Sequence, residues 1–305
     1  MRLILSFLLA TTLLHAEGAP RFRTDADGRY MEAELKKLSG KQKDEVLQWF
    51  QLVDGQFPPE GSAHAISGEL IWVDHLERRF HIRVDRDDTQ DRGVWDLAVD
   101  ATMLPYGSIF YQGAPAALQD IPLGTHLHGL FYLRASDDTT PPPPGPFGRK
   151  TPDVDFRRCF RIEDDFSHQA RLKQFWKIDS VDLKQMKLTA TLQEGGKAKG
   201  EATLFDLLSH TRVLQGRGFG DLKSLQSGQT VLFNLTWVTL YGHGRITDLW
   251  LDEPARALAA SQQLERHRHH IRERGLPCRV DAVDDEAQIV TLNFFDNVDA
   301  GLFDE

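Results

Sequence analysis

Three stretches of the chain carry Val-Asp at the same point of an apolar pattern: WVDHLERRF from Trp72, SVDLKQMKL from Ser180 and AVDDEAQIV from Ala282. In each, the seventh residue after Val is apolar (Phe80, Leu188, Val290), and alternation continues in FHIRV, LTATL and VTLNF. Alternation on both sides of a short polar break predicts a β-hairpin with one buried face. A repeat constrains the fold more than any average property, because each copy must bury its own apolar face.

The first two copies continue in parallel. The run TMLPYGSIFYQGAPAALQDIPLGTHLHGLFYL from Thr102 aligns without gaps to DLLSHTRVLQGRGFGDLKSLQSGQTVLFNLTW from Asp206. Leu104 falls on Leu208, Leu118 on Leu222 and Gly124 on Gly228, while Ile109 and Phe110 meet Val213 and Leu214. From the repeated Val to the aligned Gly is 51 residues in the first copy and 47 in the second, and the difference falls after FHIRV and LTATL, where the first copy has the longer loop, DRDDTQDRG against EGGKAKG. Each copy then adds a last strand, CFRIED around Phe160 or TDLWLDE around Trp250. A module is therefore a hairpin, a third strand, an apolar bridge before a turn glycine, a fourth strand and a closing strand. About five short strands per module predict a small closed barrel or sandwich.

That order resembles the OB-fold, in particular small exported bacterial barrels with a Gly-x-x-Val-type fourth strand. The residues carrying the resemblance are Asp120-Ile121-Pro122-Leu123-Gly124 and Ser224-Leu225-Gln226-Ser227-Gly228. The chain also resembles uncharacterised exported proteins of environmental bacteria, a resemblance that brings no catalytic residues with it. It departs from the OB pattern in having no clear helix between the third and fourth strands. Helical segments fall between modules instead. Asp252-Glu253-Pro254 starts one, Leu258, Leu264 and Ile271 supply its apolar stripe, and Gly275 with Pro277 ends it. DDFSHQARLKQF precedes the second hairpin, and Tyr30 to Val53 reads as helix before the first.

The fold class expected is mainly β with α (α+β): tandem small OB-like five-stranded barrels, each preceded by a helical segment. The expected organisation is a signal peptide over 1–16, a helical segment over 17–60, a first barrel over 61–165, a helix plus second barrel over 166–253 and a connecting helix over 254–275. A proline-rich loop insertion, 137–153, interrupts the first barrel. Residues 276–305 open a third module with no room for its remaining strands. An isolated hairpin is marginal in water. The expectation is a shortened chain, docking on the second module, or self-association through this incomplete unit.

The start, MRLILSFLLATTLLHA, has one Arg, an apolar run from Leu3 to Leu14 and a small residue at Ala16, the pattern of an export signal too short to span a bilayer comfortably. The expected location is periplasmic or extracellular, with no membrane span in the mature chain. Cleavage after Ala16 removes only Arg2 among the charges, leaving 35 basic against 45 acidic residues, a net charge of −10. That balance works against binding phosphate backbones, so no nucleic-acid partner is expected. Cys159 and Cys278 are the only cysteines, and spacing cannot decide whether they pair.

His126 and His128, in GTHLHGLFYL, are two apart on a strand and so share a face, where they could hold zinc or copper. Leu127, Phe131 and Leu133 would then face the core. The second module has Thr230 and Leu232 at the histidine positions, and no third ligand is identifiable, so the plainer reading is a pair of solvent-facing imidazoles. His267 and His270, mid-helix, could chelate but read as a solvated face. Asp85, Asp87 and Asp96 mimic a calcium loop, yet Gln90 stands where glycine is needed, and a solvated hairpin loop accounts for them. GRGFGD from Gly216 reads as a turn. Of the tryptophans on or beside strands (Trp72, Trp95, Trp176, Trp237 and Trp250), core packing explains more than ligand stacking. There is no Gly-x-Ser-x-Gly, no His-Glu-x-x-His and no cysteine nucleophile signature, so the chain reads as non-enzymatic, with a hydrolase built on scattered carboxylates the weakest alternative. The leading expectation is a binding or assembly protein for a protein or glycan ligand. The alternative is a periplasmic metal-binding protein using His126 and His128.

Overall fold

The structure, a computed structural model, describes residues 63–85, 98–133, 154–238, 242–276 and 278–294. The first sheet contains β1 (Ala63–Asp74), β2 (Arg79–Val84), β3 (Val99–Tyr111), β4 (Ala114–Pro115), β5 (His126–Leu133) and β6 (Val154–Asp164). Its order is β2-β1-β5-β6-β3-β4, and a further β2–β3 pairing closes it into a barrel of five full strands. β3 and β6 run parallel, whereas β1–β2, β1–β5, β2–β3 and β5–β6 are antiparallel. The second sheet repeats this with β7 (Gln174–Asp182), β8 (Lys187–Glu194), β9 (Lys197–Ala198), β10 (Thr203–Gln215), β11 (Gly218–Phe219), β12 (Thr230–Thr236) and β13 (Arg245–Trp250). Here β8–β10 closes the barrel and β10–β13 is the parallel pair. The expected class is observed: mainly β, with two closed five-stranded OB-like barrels in tandem. The segments 1–16, 17–60 and 137–153, together with Trp95, lie outside the described residues.

The repeat holds down to single hydrogen bonds. Gly124 N–H donates to Leu70 C=O at 2.7 Å, and Gly228 N–H to Ile178 C=O at 2.7 Å. Both glycines have φ near +90° (90° and 88°), which a side chain would resist, so the apolar bridge turns at the same point in each barrel. That bridge is a short 3-10 turn, Leu118–Asp120 or Leu222–Ser224, rather than a full helix. GRGFGD is the turn from β10 into β11, as expected.

Each barrel is filled by the inward residues of its alternating strands. Leu70, Phe80, Ile82, Leu127, Phe131 and Ile162 are sealed in the first, and Ile178, Leu188, Phe205, Phe233 and Leu249 in the second. Trp176 packs against Phe205 and Phe233 of the second core. Cys159 is buried in the first core, where burial pushes its thiol pKa up, and both Cys159 and Cys278 are free thiols.

Two helices link the units. α1 (Asp165–Arg171) follows β6, and α2 (Glu253–Arg274) follows β13. Each is capped by an aspartate that also holds its own barrel. Asp164 accepts from Ser167 N–H at 3.0 Å and from Gln112 N–H at 3.0 Å; Asp252 accepts from Ala255 N–H at 2.9 Å and from Gly216 N–H at 3.0 Å. The stripe that α2 buries differs from the expected one. Ala255, Ala259, Gln263 and His267 are its buried residues, and Leu258, Leu264 and Ile271 are only partly covered. Small side chains let the helix approach closely, and Gln263, fully buried, is satisfied by Pro115 C=O at 3.2 Å and Asp120 Oδ2 at 3.0 Å. His267 is therefore not on a solvated face, and His270 Nδ1 lies 3.0 Å from Gln119 Nε2.

The third copy is a hairpin of β14 (Cys278–Asp284) and β15 (Ile289–Phe294), which form a sheet of their own. It has the geometry of its two predecessors. All three hairpins carry a register irregularity at the same place, between Leu70 and Trp72, Ile178 and Ser180, and Val280 and Ala282. All three turn through a left-handed residue, Arg78, Met186 or Gln288. What differs is cover. Leu70, Phe80 and Ile82 are 0% exposed, as are Ile178, Leu188 and Ala190, but their counterparts Val280, Val290 and Leu292 are 55%, 52% and 37% exposed.

Candidate metal centre at the barrel junction

Antiparallel pairing sets Ser67 opposite His128 and Glu69 opposite His126 on β1 and β5, and Glu163 of β6 lies beside His128. With Leu127 and Phe131 turned into the first barrel, these polar residues point out of its wall. On an isolated barrel that wall would be wet. Here α1 and β12 of the second barrel cover it, so His126 is 4% exposed and the His128 side chain 14%, and neither of the imidazoles expected to face open solvent does so. Leu133, expected in the core, has no described side-chain environment.

Both imidazoles converge on one carboxylate oxygen. His126 Nδ1 is 2.7 Å from Asp165 Oδ1, and His128 Nε2 is 2.9 Å from the same atom. The far nitrogen of each ring is also held: His126 Nε2 lies 2.7 Å from Asp85 Oδ2, and His128 Nδ1 lies 3.1 Å from Ser67 Oγ. His128 stacks on His168 of α1 with ring centroids 3.8 Å apart. Behind them, both carboxylate oxygens of Glu163 accept from Arg171 Nε, at 2.9 and 3.1 Å, and Glu163 Oε2 lies 3.8 Å from His168 Nδ1.

The electrostatics follow from burial and pairing. Burial opposes charge on His126, but the Asp165 and Asp85 carboxylates outweigh it and raise its pKa well above the usual imidazole value. Burial would raise Asp165, but His126 and the hydrogen bonds from both imidazoles hold it well below the usual carboxylate range. His128 is lowered, chiefly by burial, so it is neutral at neutral pH. Burial raises Asp164 and Glu163, each to about 6. Glu69 is paired with Arg83 and Glu163 with Arg171, which leaves Asp85 and Asp165 against one imidazolium with the Asp164 carboxylate beside them, a net negative cluster.

The second barrel completes the wall. Asp165 Oδ2 accepts from Leu235 N–H of β12 at 2.9 Å. Asn234, 1% exposed, accepts from Phe166 N–H at 2.9 Å through Oδ1 and donates to Asp164 Oδ2 at 2.8 Å through Nδ2. Thr236 Oγ1 is 3.3 Å from Glu69 Oε1, and the Arg83 guanidinium lies 4.9 Å from the Trp237 ring.

The third candidate ligand, which the sequence did not reveal, is Asp165, from the first turn of α1. Its signal was the alignment of Asp164-Asp165 with the helix start Asp252-Glu253. Asp85, expected in a solvated hairpin loop, is instead the partner of His126, and Asp87 and Asp96 lie outside the described residues. Trp250 is fully buried, while Trp72 and Trp237 are substantially exposed, so core packing accounts for only some of the tryptophans.

One nitrogen of His126, one of His128 and one oxygen of Asp165 all lie within 4.8 Å of one another, the one such group among the described residues. Two imidazoles and a carboxylate suit zinc(II) or copper(II). A tetrahedral ion with bonds of about 2.0–2.1 Å needs its ligand atoms roughly 3.3 Å apart, so each N···O pair must open by about half an ångström. The outer partners are of the kind that orient metal-bound histidines, a carboxylate on one ring and a hydroxyl on the other. The Ser67 hydroxyl can donate to Nδ1 of His128 or accept from it, so either tautomer of that ring is satisfied.

No protein-family model matches the chain, and no curated protein matches it. Among solved structures it is similar to CusF from Escherichia coli. A tryptophan-to-alanine variant with Cu(II) is 14% identical, at a TM-score of 0.20, over 26% of this chain and 90% of that one. The Ag(I) form is 13% identical at a TM-score of 0.19, with coverage of 26% and 90%. The apo form is 13% identical at 0.19, with coverage of 26% and 86%. Identity and overlap at that level say nothing of the junction, which stands on its own geometry.

Proposed function

We propose that this is an exported metal-binding protein that takes a divalent d-block ion, zinc(II) or copper(II), at the junction of its two barrels. His126 Nδ1, His128 Nε2 and Asp165 Oδ1 are the ligands, with Asp85 and Ser67 as outer partners. The observation that carries the reading is the convergence of one buried and one partly buried imidazole on one carboxylate oxygen, each ring held from behind. The surplus negative charge favours a cation, and a dipositive ion with two neutral imidazoles would cancel Asp85 and Asp165. Without metal, a proton on His126 Nδ1 fills part of that role. Cys159, the described thiol nearest in sequence to the site, is sealed in the first core, so the ligands are nitrogen and oxygen.

The test is zinc titration of the purified protein in weakly buffered solution near pH 7. One equivalent should bind, releasing about one proton per ion, because the raised pKa of His126 keeps that ring charged until the metal displaces its proton. Affinity should rise with pH until His126 is neutral in the free protein. Absence of saturable, stoichiometric uptake would remove the reading.

A second reading, self-association, is favoured by the third hairpin. Its inward trio is uncovered and Val283 and Ile289 are 59% and 47% exposed, so a second copy of the chain could bury this face against its own. Light scattering should then give a concentration-dependent mass for the full chain, reduced to that of a monomer by Val290→Lys. A monomer at all concentrations would end this reading and leave the metal site untouched.

A further inference from the structure

We infer that metal binding and docking of the second barrel are one linked equilibrium, with Asn234 as the positioning residue that couples them; this rests on the metal reading above. The ligands themselves come from the first barrel and from the start of α1. No described residue of the second barrel supplies a ligand atom. Yet the carboxylate on which both imidazoles converge is held from the far side by a backbone N–H of that barrel, Leu235 to Asp165 Oδ2.

Asn234 holds the backbone on either side of Asp165. Its Oδ1 accepts from Phe166 N–H, the residue after Asp165, and its Nδ2 donates to Asp164 Oδ2, the residue before. The amide therefore grips the chain at both neighbours of the ligand from a strand 70 residues away. It is nearly fully buried, so no water stands ready to replace either bond. If the second barrel moves off, Asp165 loses the Leu235 N–H and its flanking residues lose Asn234. The carboxylate is then free to leave the position that both rings face.

The repeat supplies an internal contrast. At the end of the second barrel, Asp252 caps α2 as Asp164 caps α1, and Glu253 follows it as Asp165 follows Asp164. There the strand positions of the two histidines hold Thr230 and Leu232, and Glu253 pairs with Arg256 on its own helix at 3.0 Å. Only the junction with a docked barrel beyond it carries the histidines, the short acid and the amide together, among the described residues.

Linkage makes the coupling reciprocal: whatever factor docking adds to metal affinity, metal adds to docking. Two measurements test it. Zinc affinity of Asn234→Ala, read by competition with a chromophoric chelator, should fall by about tenfold or more although every ligand remains. Cobalt(II) in the same variant should give an altered visible spectrum, since the carboxylate would no longer be fixed. In the wild-type protein, zinc should slow amide hydrogen exchange at Leu235 by a comparable factor, and this readout needs no variant to fold. Wild-type affinity and spectrum in a folded Asn234→Ala, or zinc uptake that leaves Leu235 exchange unchanged, would overturn the linkage alone. A wild-type protein that takes up no zinc would instead remove the site itself, and the linkage with it.

Discussion

Changing His126 and His128 to Ala together should abolish tight zinc uptake, and His128→Ala alone should weaken it by roughly a hundredfold. Structural zinc sites contribute about 10–16 kcal/mol, or roughly 3 kcal/mol for each of four ligands, and 1.4 kcal/mol is a factor of ten. The single variants should differ in what they do to the metal-free protein. His126 is the positive partner of two carboxylates, at 2.7 Å from each. Removing it leaves Asp85 and Asp165 without their shared counter-charge, in a wall that is largely dry, and costs about 3–5 kcal/mol. His128 is neutral, makes one bond to Asp165 and one to Ser67, and stacks on His168, so its loss costs only about 1–2 kcal/mol. His128→Ala is the cleaner probe: chelator competition should show the affinity loss while urea unfolding shows a modest change. Unaltered zinc affinity in that variant would exclude His128 as a ligand.

Trp250→Ala should cost about 3–5 kcal/mol, a large part of the roughly 5–15 kcal/mol that holds a typical domain. Trp250 has no exposed surface and packs with Phe166, Leu232, Ala255 and Ala259. The Phe166 ring meets it edge to face at 4.7 Å. Those neighbours come from α1, β12 and α2, so the indole fills the space where both helices meet the second barrel. Nothing small enough to move can refill it, because the strands on either side are locked in ladders. Trp72→Ala is the control: that ring is 40% exposed and rests on His81, so its removal should cost well under half as much. Chemical denaturation of the two variants reads the difference directly. A cost below about 1 kcal/mol for Trp250→Ala would mean the helices do not depend on this contact.

The features legible in the sequence are those carried by local chemistry. The hairpins could be read because an apolar side chain every second residue, interrupted by Val-Asp and a short turn, has one comfortable backbone solution. The turn glycines, Gly124 and Gly228, could be read because they recur at the same point, and the cap of α2 because Asp252, Glu253 and Pro254 form a start signal in themselves. From such signals alone, the chain was committed to tandem closed barrels.

The junction was decided elsewhere. His126 and His128 alternate with Leu127 on β5, and that pattern reports which way a side chain points but not what lies on that side. An outward histidine on a solvated barrel and one sealed beneath a neighbouring barrel have the same sequence. Their partners are remote, Asp165 at 39 positions from His126, Asp85 at 41 and Asn234 at 70 from Asp164. No periodicity of two or of 3.6 reaches that far. By itself the sequence determined the barrels and set both imidazoles on one face, because strand alternation is a local property. Only the tertiary structure decided that α1 and the second barrel would close over that face, bringing Asp165 to both rings, because burial depends on which surfaces meet.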